Sequence, residues 1–187
     1  MGTESLIHVR EASVDDLAAI RRLFNVLIPT TAIAWRDHLA SEEEIAEWFD
    51  QQSVAEHPVL VAELDRDVAG YTTWTTFRGG ARFPGYRHTA ELTIHVDAAH
   101  HRRGVGRALL GALIDEGRRR ELHVLVAGID AENSASIALH RAMGFVEVGR
   151  MPEVGRKFDR WLDLVLVQRV LGGDGTSKGR DAGGDGS

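Results

Sequence analysis

Residues 88–113 read HTAELTIHVDAAHHRRGVGRALLGAL, and the fold turns on how this stretch is parsed. Residues 91–96 are apolar and β-branched, the composition of a strand. Residues 97–103 are a polar connection rich in His and Arg. Gly104-Val105-Gly106 then opens a segment with apolar residues at Val105, Leu109, Ala112 and Leu113. That spacing is one face of a helix. Strand, glycine turn and helix together suit an anionic group such as a phosphate. The first helical turn has unpaired N–H groups and a partial positive charge. Glycines let the backbone approach closely, and Arg102, Arg103 and Arg107 add charge. A dinucleotide fingerprint would need a third glycine at Leu109, and a P-loop would need Gly-Lys-Ser/Thr after the turn. Taken alone, the segment also reads as an ordinary surface turn.

The flanking composition narrows the field. The chain has 187 residues, enough for one domain with a sizeable core, and 43% of them are hydrophobic. Lys+Arg number 22 and Asp+Glu 28, a net charge of −6, which disfavours nucleic acid as a partner. With no cysteine there is no disulfide, no thiolate nucleophile and no Cys-based zinc site. No apolar run reaches membrane-spanning length. MGTESLIHVR lacks a signal-peptide pattern, so a cytoplasmic protein is expected. His88, His95, His100 and His101 crowd one region. His88 and His95 fall on opposite strand faces, adjacent His100 and His101 do not converge, and HExxH is absent, so no metal is expected.

Working outward, residues 6–10 form a first short strand. Ser13-Val14-Asp15-Asp16 resembles a capping box. The helix after it is lined by Leu17, Ile20, Phe24 and Leu27, and Pro29 is expected to end it near Ile28. Residues 29–38 are a loop bearing an exposed Trp35. Ser41-Glu42-Glu43-Glu44 is a clearer capping box before a second helix with Ile45, Trp48 and Phe49. Residues 58–63 and 68–77 form an antiparallel hairpin. A glycine-rich loop, residues 78–85, leads into the strand quoted first. The glycine-turn helix fades near Arg118-Arg119-Arg120. A buried strand at 123–129, a short helix at 134–143 and strands at 145–149 and 161–167 complete the order β-α-α-β-β-β-α-β-α-β-β. This predicts a mixed central sheet with helices on both faces, an α/β (α+β) class. Residues 1–171 would be one domain. The tail 172–187, GGDGTSKGRDAGGDGS, holds seven of the 20 glycines and no large apolar residue, so disorder is expected there.

His101-Arg102-Arg103-Gly104-Val105-Gly106 resembles the acetyl-CoA loop of the GNAT acetyltransferase superfamily, with His at a first position that is usually Arg or Gln. Further stretches agree. They are Asn25 with Thr30-Thr31-Ala32, His57-Pro58-Val59-Leu60-Val61-Ala62, Tyr86-Arg87-His88-Thr89-Ala90-Glu91, Asn133-Ser134-Ala135-Ser136-Ile137-Ala138-Leu139-His140 with Gly144-Phe145, and Gly155-Arg156-Lys157 with Trp161-Leu162-Asp163. Together they resemble the phosphinothricin and methionine sulfoximine acetyltransferases, one branch of that superfamily, over residues 7–171. The longest pattern, Asn-x-x-Ser-x-x-Leu-His-x-x-x-Gly-Phe, is the most specific.

The resemblance implies a GNAT fold and an N-acetyltransferase that moves an acetyl group from acetyl-CoA to a small amino-acid-like amine. It implies cofactor contacts from the backbone of Ile94, His95 and Val96, from the loop Arg102, Arg103, Gly104, Val105, Gly106 and Arg107, and from Asn133. Asn133 also reads as a plain helix N-cap, and the two roles are compatible. Glu91 occupies the general-base position, acting directly or through a water. By strand alternation Glu91 shares a face with Thr93 and His95. His140 stands where many relatives carry an acidic tyrosine, and acid, second base and hydrogen-bond anchor all remain open for it. Trp35, Arg78, Arg82 and Tyr86 are expected to bind the acceptor. Two features depart from the branch: Trp35 replaces a common Phe, and Phe83-Pro84-Gly85 makes the run from Arg82 to Tyr86 one residue longer. A homodimer is implied. Competing readings are acetylation of a protein N-terminus, polyamine or antibiotic, and a non-catalytic acetyl-CoA-binding module. The local arginines argue against polyamines, and the presence of both Glu91 and His140 argues against a silent module.

Overall fold

The computed structural model describes residues 6–32, 35–79 and 82–172. Seven strands form one sheet in the order β1-β2-β3-β4-β5-β7-β6. They are β1 (His8–Glu11), β2 (Val59–Leu64), β3 (Asp67–Thr76), β4 (Thr89–Val96), β5 (Val124–Asp130), β6 (Val146–Lys157) and β7 (Arg160–Val170). The helices are α1 (Leu17–Thr30), α2 (Glu42–Val54), α3 (Val105–Arg119) and α4 (Ser134–Ala142). Strands β1 to β4 pair antiparallel, and so do β5, β7 and β6. The one parallel pair, β4 with β5, joins the two halves, as a crossover through α3 requires. The mixed central sheet with helices on both faces expected from sequence is present. Of the expected disordered tail, residues 173–187 lie outside the described residues.

Each face of the sheet carries two helices. Ile20 and Leu23 of α1 and Trp48 and Phe49 of α2 pack on Val59, Val61 and Tyr71. On the opposite face α3 buries Val105, Leu109, Leu110, Leu113 and Ile114. Full burial of one such side chain stabilises by about 1.5–3 kcal/mol, so this single face anchors the helix. Helix α4 lies beside α3: a Cβ on Gly106 would come within 3.0 Å of Leu139 Cδ2. Gly106 therefore serves helix packing as well as the turn before it.

Three boundaries differ from the sequence reading. Helix α1 runs through Pro29 to Thr30. Proline in the last turn gives up few helix bonds, and the Thr31 N–H and hydroxyl both bond to the Leu27 carbonyl. Before α1, residues Val14–Asp16 form a 3₁₀ turn, and the Asp16 carboxylate accepts from the Ser13 N–H at 2.7 Å. The Ser41 capping box forms as expected, each partner bonding the other's backbone N–H. The last two strands are far longer than expected, at 12 and 11 residues, and form a hairpin irregular between Met151 and Gly155.

Candidate active site

Strand β4 pairs with β3 over seven residues, from Gly70↔Val96 to Thr76↔Ala90. Its parallel pairing with β5 covers only Thr89↔Val124, Ala90↔Leu125 and Glu91↔Val126. Beyond that point the two strands part, and a wedge opens through the sheet. The His88 carbonyl accepts from Val124 N–H at 3.1 Å, whereas Asp97 N–H donates to Ala69 of the β3 side at 2.8 Å. Backbone direction alternates along a strand, so past the Glu91↔Val126 pair the Leu92 carbonyl and the peptide groups of Ile94 and Val96 turn towards the open wedge, where the His101 ring meets the Val96 carbonyl at 3.2 Å. Ile94 and Val96 thus turn their backbone towards the wedge. His95 does not. Its backbone faces β3, where its carbonyl oxygen would lie 2.6 Å from a Cβ on Gly70. Its ring is buried against Phe24 and Tyr71, with centroids 6.0 and 5.1 Å away. Burial pushes this imidazole down to about 4. His95 is a core residue.

At the wide end of the wedge the chain turns into α3. Gly104 caps the helix with φ 91°, a conformation glycine adopts without steric cost. Among the described residues, the N–H groups of Gly104, Val105, Gly106 and Arg107 donate to no protein group. Arg102 and Arg107 are exposed, without a side-chain partner among those residues. Arg103 differs: its guanidinium bonds Asp65 at 2.9 Å. Four free donors, a helix dipole and two unengaged arginines fit a pyrophosphate, and an edge of free peptide groups fits an extended amide-bearing arm.

Glu91 stands at the narrow end, and His140 belongs to α4 on the opposite face of the sheet. Glu91 and Thr93 are exposed on the α1/α2 face of β4, a central strand. Glu91 Oε1 lies 3.7 Å from where a Cβ on Gly128 of β5 would be, so the carboxylate leans across the wedge. His140 is 1% exposed. Its Nδ1 donates to the Ser136 carbonyl at 2.9 Å, which leaves Nε2 as the acceptor nitrogen. Nε2 is buried with no partner among the described residues. Burial lowers the pKa of this ring against the opposing effect of the Ser136 bond, so His140 is neutral near pH 7. The imidazole stands edge-on to Phe145, centroids 5.1 Å apart. Asn133 is the N-cap of α4, its Oδ1 accepting from Ser136 N–H at 3.1 Å.

The expected acceptor residues divide into two groups. Arg78, Arg82 and Tyr86 lie in the β3–β4 connection, which leaves the sheet one register pair beyond Thr75↔Glu91. Tyr86 packs edge-on to Phe77 at 5.5 Å, and the Arg82 guanidinium sits 5.7 Å over the Phe83 ring. Trp35 comes from the α1–α2 connection, and its ring lies against β6 where a Cβ on Gly155 would overlap it. Nearby, Lys157 is 6% exposed and donates to the Thr31 carbonyl at 2.9 Å. Burial lowers the Lys157 pKa. Lys157 thereby ties the hairpin to the end of α1. Sequence reading missed this latch. No group of three or more His, Asp or Glu among the described residues could hold a metal ion.

Comparison with known proteins identifies the family. The model of the acetyltransferase (GNAT) family matches residues 20–145. The chain belongs to the acetyltransferase (GNAT) family and is an acetyl-CoA-dependent N-acetyltransferase. It is 42% identical over 163 residues to the L-amino acid N-acyltransferase MnaT of Escherichia coli (strain K12), spanning 87% of this chain and 93% of that one. It is 41% identical to the L-methionine sulfoximine/L-methionine sulfone acetyltransferase of Salmonella typhimurium, spanning 87% and 94%. The structure of a GNAT superfamily phosphinothricin acetyltransferase from Sinorhizobium meliloti in complex with acetyl-CoA superposes with TM-score 0.84 at 31% identity, covering 89% of each chain.

Proposed function

We propose that the protein acetylates the α-amino group of a small free amino acid carrying a polar tetrahedral side-chain group, of the phosphinothricin, methionine sulfoximine or methionine sulfone type. The observation that carries this reading is the exposed Glu91 carboxylate at the apex of the wedge, with an arginine-bearing loop beginning one register pair away. Acetyl-CoA supplies the acetyl group. Ile94 and Val96 pair with its pantetheine arm, the turn from Arg102 to Arg107 takes its pyrophosphate, and Asn133 adds a hydrogen bond from its free amide. Arg78 or Arg82 grips the acceptor's carboxylate or phosphinate, where a guanidinium offers a two-pronged fork. That grip holds the amine beside Glu91 and the thioester, so that positioning contributes to rate.

Amines enter largely protonated. Glu91, directly or through a water, removes the proton that blocks the nitrogen lone pair. A second proton leaves as the amide forms and one returns to the released thiol, so one proton per turnover reaches solvent. His140, neutral with a bare Nε2, acts as acceptor or anchor in the resting protein rather than as acid. We place the enzyme in the cytoplasm, where acetyl-CoA is available, as a homodimer. The test is thiol release from acetyl-CoA across a panel of amines. Methionine sulfone, methionine sulfoximine or phosphinothricin should lead the panel. Far more efficient acetylation of peptides or polyamines would overturn this acceptor class.

A further inference from the structure

We propose that Asp130 is a second acceptor-binding carboxylate, receiving an N–H of the acceptor's amino group on the same face of the sheet as Glu91. This rests on the reading that this face receives the amine. Along β5, Leu125, Ala127 and Ile129 enter the core beneath α3. Alternation turns Val126, Gly128 and Asp130 to the other face, the one that carries Glu91. Gly128 has no side chain, and Glu91 Oε1 leans into that space, 3.7 Å from its missing Cβ. Asp130 is the next position along that face, about 7 Å further on at strand spacing. Past Glu91↔Val126 no parallel partner fills the interval.

The state of the side chain is the second observation. Asp130 is 7% exposed. One oxygen has an architectural role: Oδ1 accepts from Glu132 N–H at 2.8 Å and shapes the turn into α4. The other, Oδ2, is buried with no partner among the described residues. Arg160 is close enough to feel Asp130, but its guanidinium is placed on Glu132 at 2.7 Å. A buried carboxylate oxygen without a donor costs stability. The turn needs only Oδ1, and asparagine would supply that with no charge. An ammonium group arriving between Glu91 and Asp130 brings three donors and a positive charge. With one N–H on each carboxylate, the third proton leaves through a water to the other oxygen of Glu91, and the lone pair it uncovers attacks the thioester. Asp130 thus orients the nucleophile while Glu91 takes the proton.

The experiment compares Asp130→Asn with wild type, using whichever amine the wild-type enzyme acetylates best. Asn retains the Oδ1 acceptor for the turn. Loss of one charge-assisted hydrogen bond should lower kcat/KM for the amine roughly 10- to 100-fold, mainly through KM. The Kd for acetyl-CoA should stay within about twofold, and Tm should be unchanged or higher. Asp130→Glu, which keeps the charge, should recover part of the loss. Unchanged kcat/KM for the amine, equal impairment in both variants, or a parallel fall in acetyl-CoA affinity would overturn the proposal. A best acceptor outside the free amino acids would overturn the acceptor class while leaving this comparison intact.

Discussion

At the scale of single residues, Glu91 is distinguished by where its strand lies. An exposed carboxylate on a central strand exists here because β5 diverges from β4 after Val126. Glu91→Gln keeps the shape and removes the base. General acid–base groups typically contribute ~10²–10⁴-fold, so kcat should fall at least ~10²-fold with acetyl-CoA affinity unchanged. Near-normal turnover across pH would assign the proton to another group. The family motif made Glu91 and His140 legible in the sequence. Asp130 was not, because an aspartate closing an apolar run reads as a turn residue, and no local pattern shows that one of its oxygens is left bare.

His95 gives the opposite lesson: a histidine in a site-like stretch that the fold turned inward. The native ring takes up a proton near pH 4, the unfolded one near 6.5. Between those values the unfolded chain binds more protons, so stability rises with pH and is lost as pH falls from about 6.5 towards 4. The part due to His95 reaches about 3 kcal/mol at the acid end. His140 is shifted in the same direction by burial. Urea midpoints at pH 7 and pH 5 should therefore differ strongly in the wild type and less in His95→Phe. An equal difference in the two proteins would show that the folded His95 is already protonated at pH 5.

At the scale of elements, the turn into α3 was legible because three signals coincide there: a strand pattern, a glycine pair and helical periodicity. Its N–H array depends on Gly104 holding φ 91°. A β-branched residue resists that conformation by about 1–2 kcal/mol. There is space for a side chain, since the nearest atom to a Cβ would be Ile7 Cδ1 at 3.4 Å. Gly104→Val should therefore stay folded while the turn shifts, raising the calorimetric Kd for acetyl-CoA at least about tenfold. Unchanged binding would remove the turn from the cofactor site. The long hairpin of β6 and β7 was far less legible. Pro152 and polar residues interrupt its alternation, and it gains its length only by pairing around the irregular stretch between Met151 and Gly155.

At the scale of the whole molecule, the order of elements sufficed to predict a mixed sheet clothed on both faces, because a β-α-β crossover demands a parallel pair. The homodimer proposed above draws its support from exposure instead. Trp161 is 60% exposed, and Val146, Val148, Met151, Val154 and Phe158 on the same hairpin are also exposed. An edge strand bearing so much apolar surface suits an interface with a second copy. Light scattering at micromolar concentration should give twice the chain mass, and Trp161→Glu should shift it towards the monomer. A monomeric wild type would exclude the dimer.

The wedge has one more consequence. Unpaired strand edges normally invite other chains to add on, and this is a common route to aggregation. Here the open edge of β4 lies inside the sheet, between two halves already joined at Glu91↔Val126. Because β5 rejoins β4 at Glu91↔Val126, the gap narrows inward, where a foreign strand with side chains on both faces would need full strand spacing on each side. A slender linear molecule with peptide-like amides needs less. The protein thus keeps a sticky edge available for long-lived use by hiding it from everything as wide as a polypeptide.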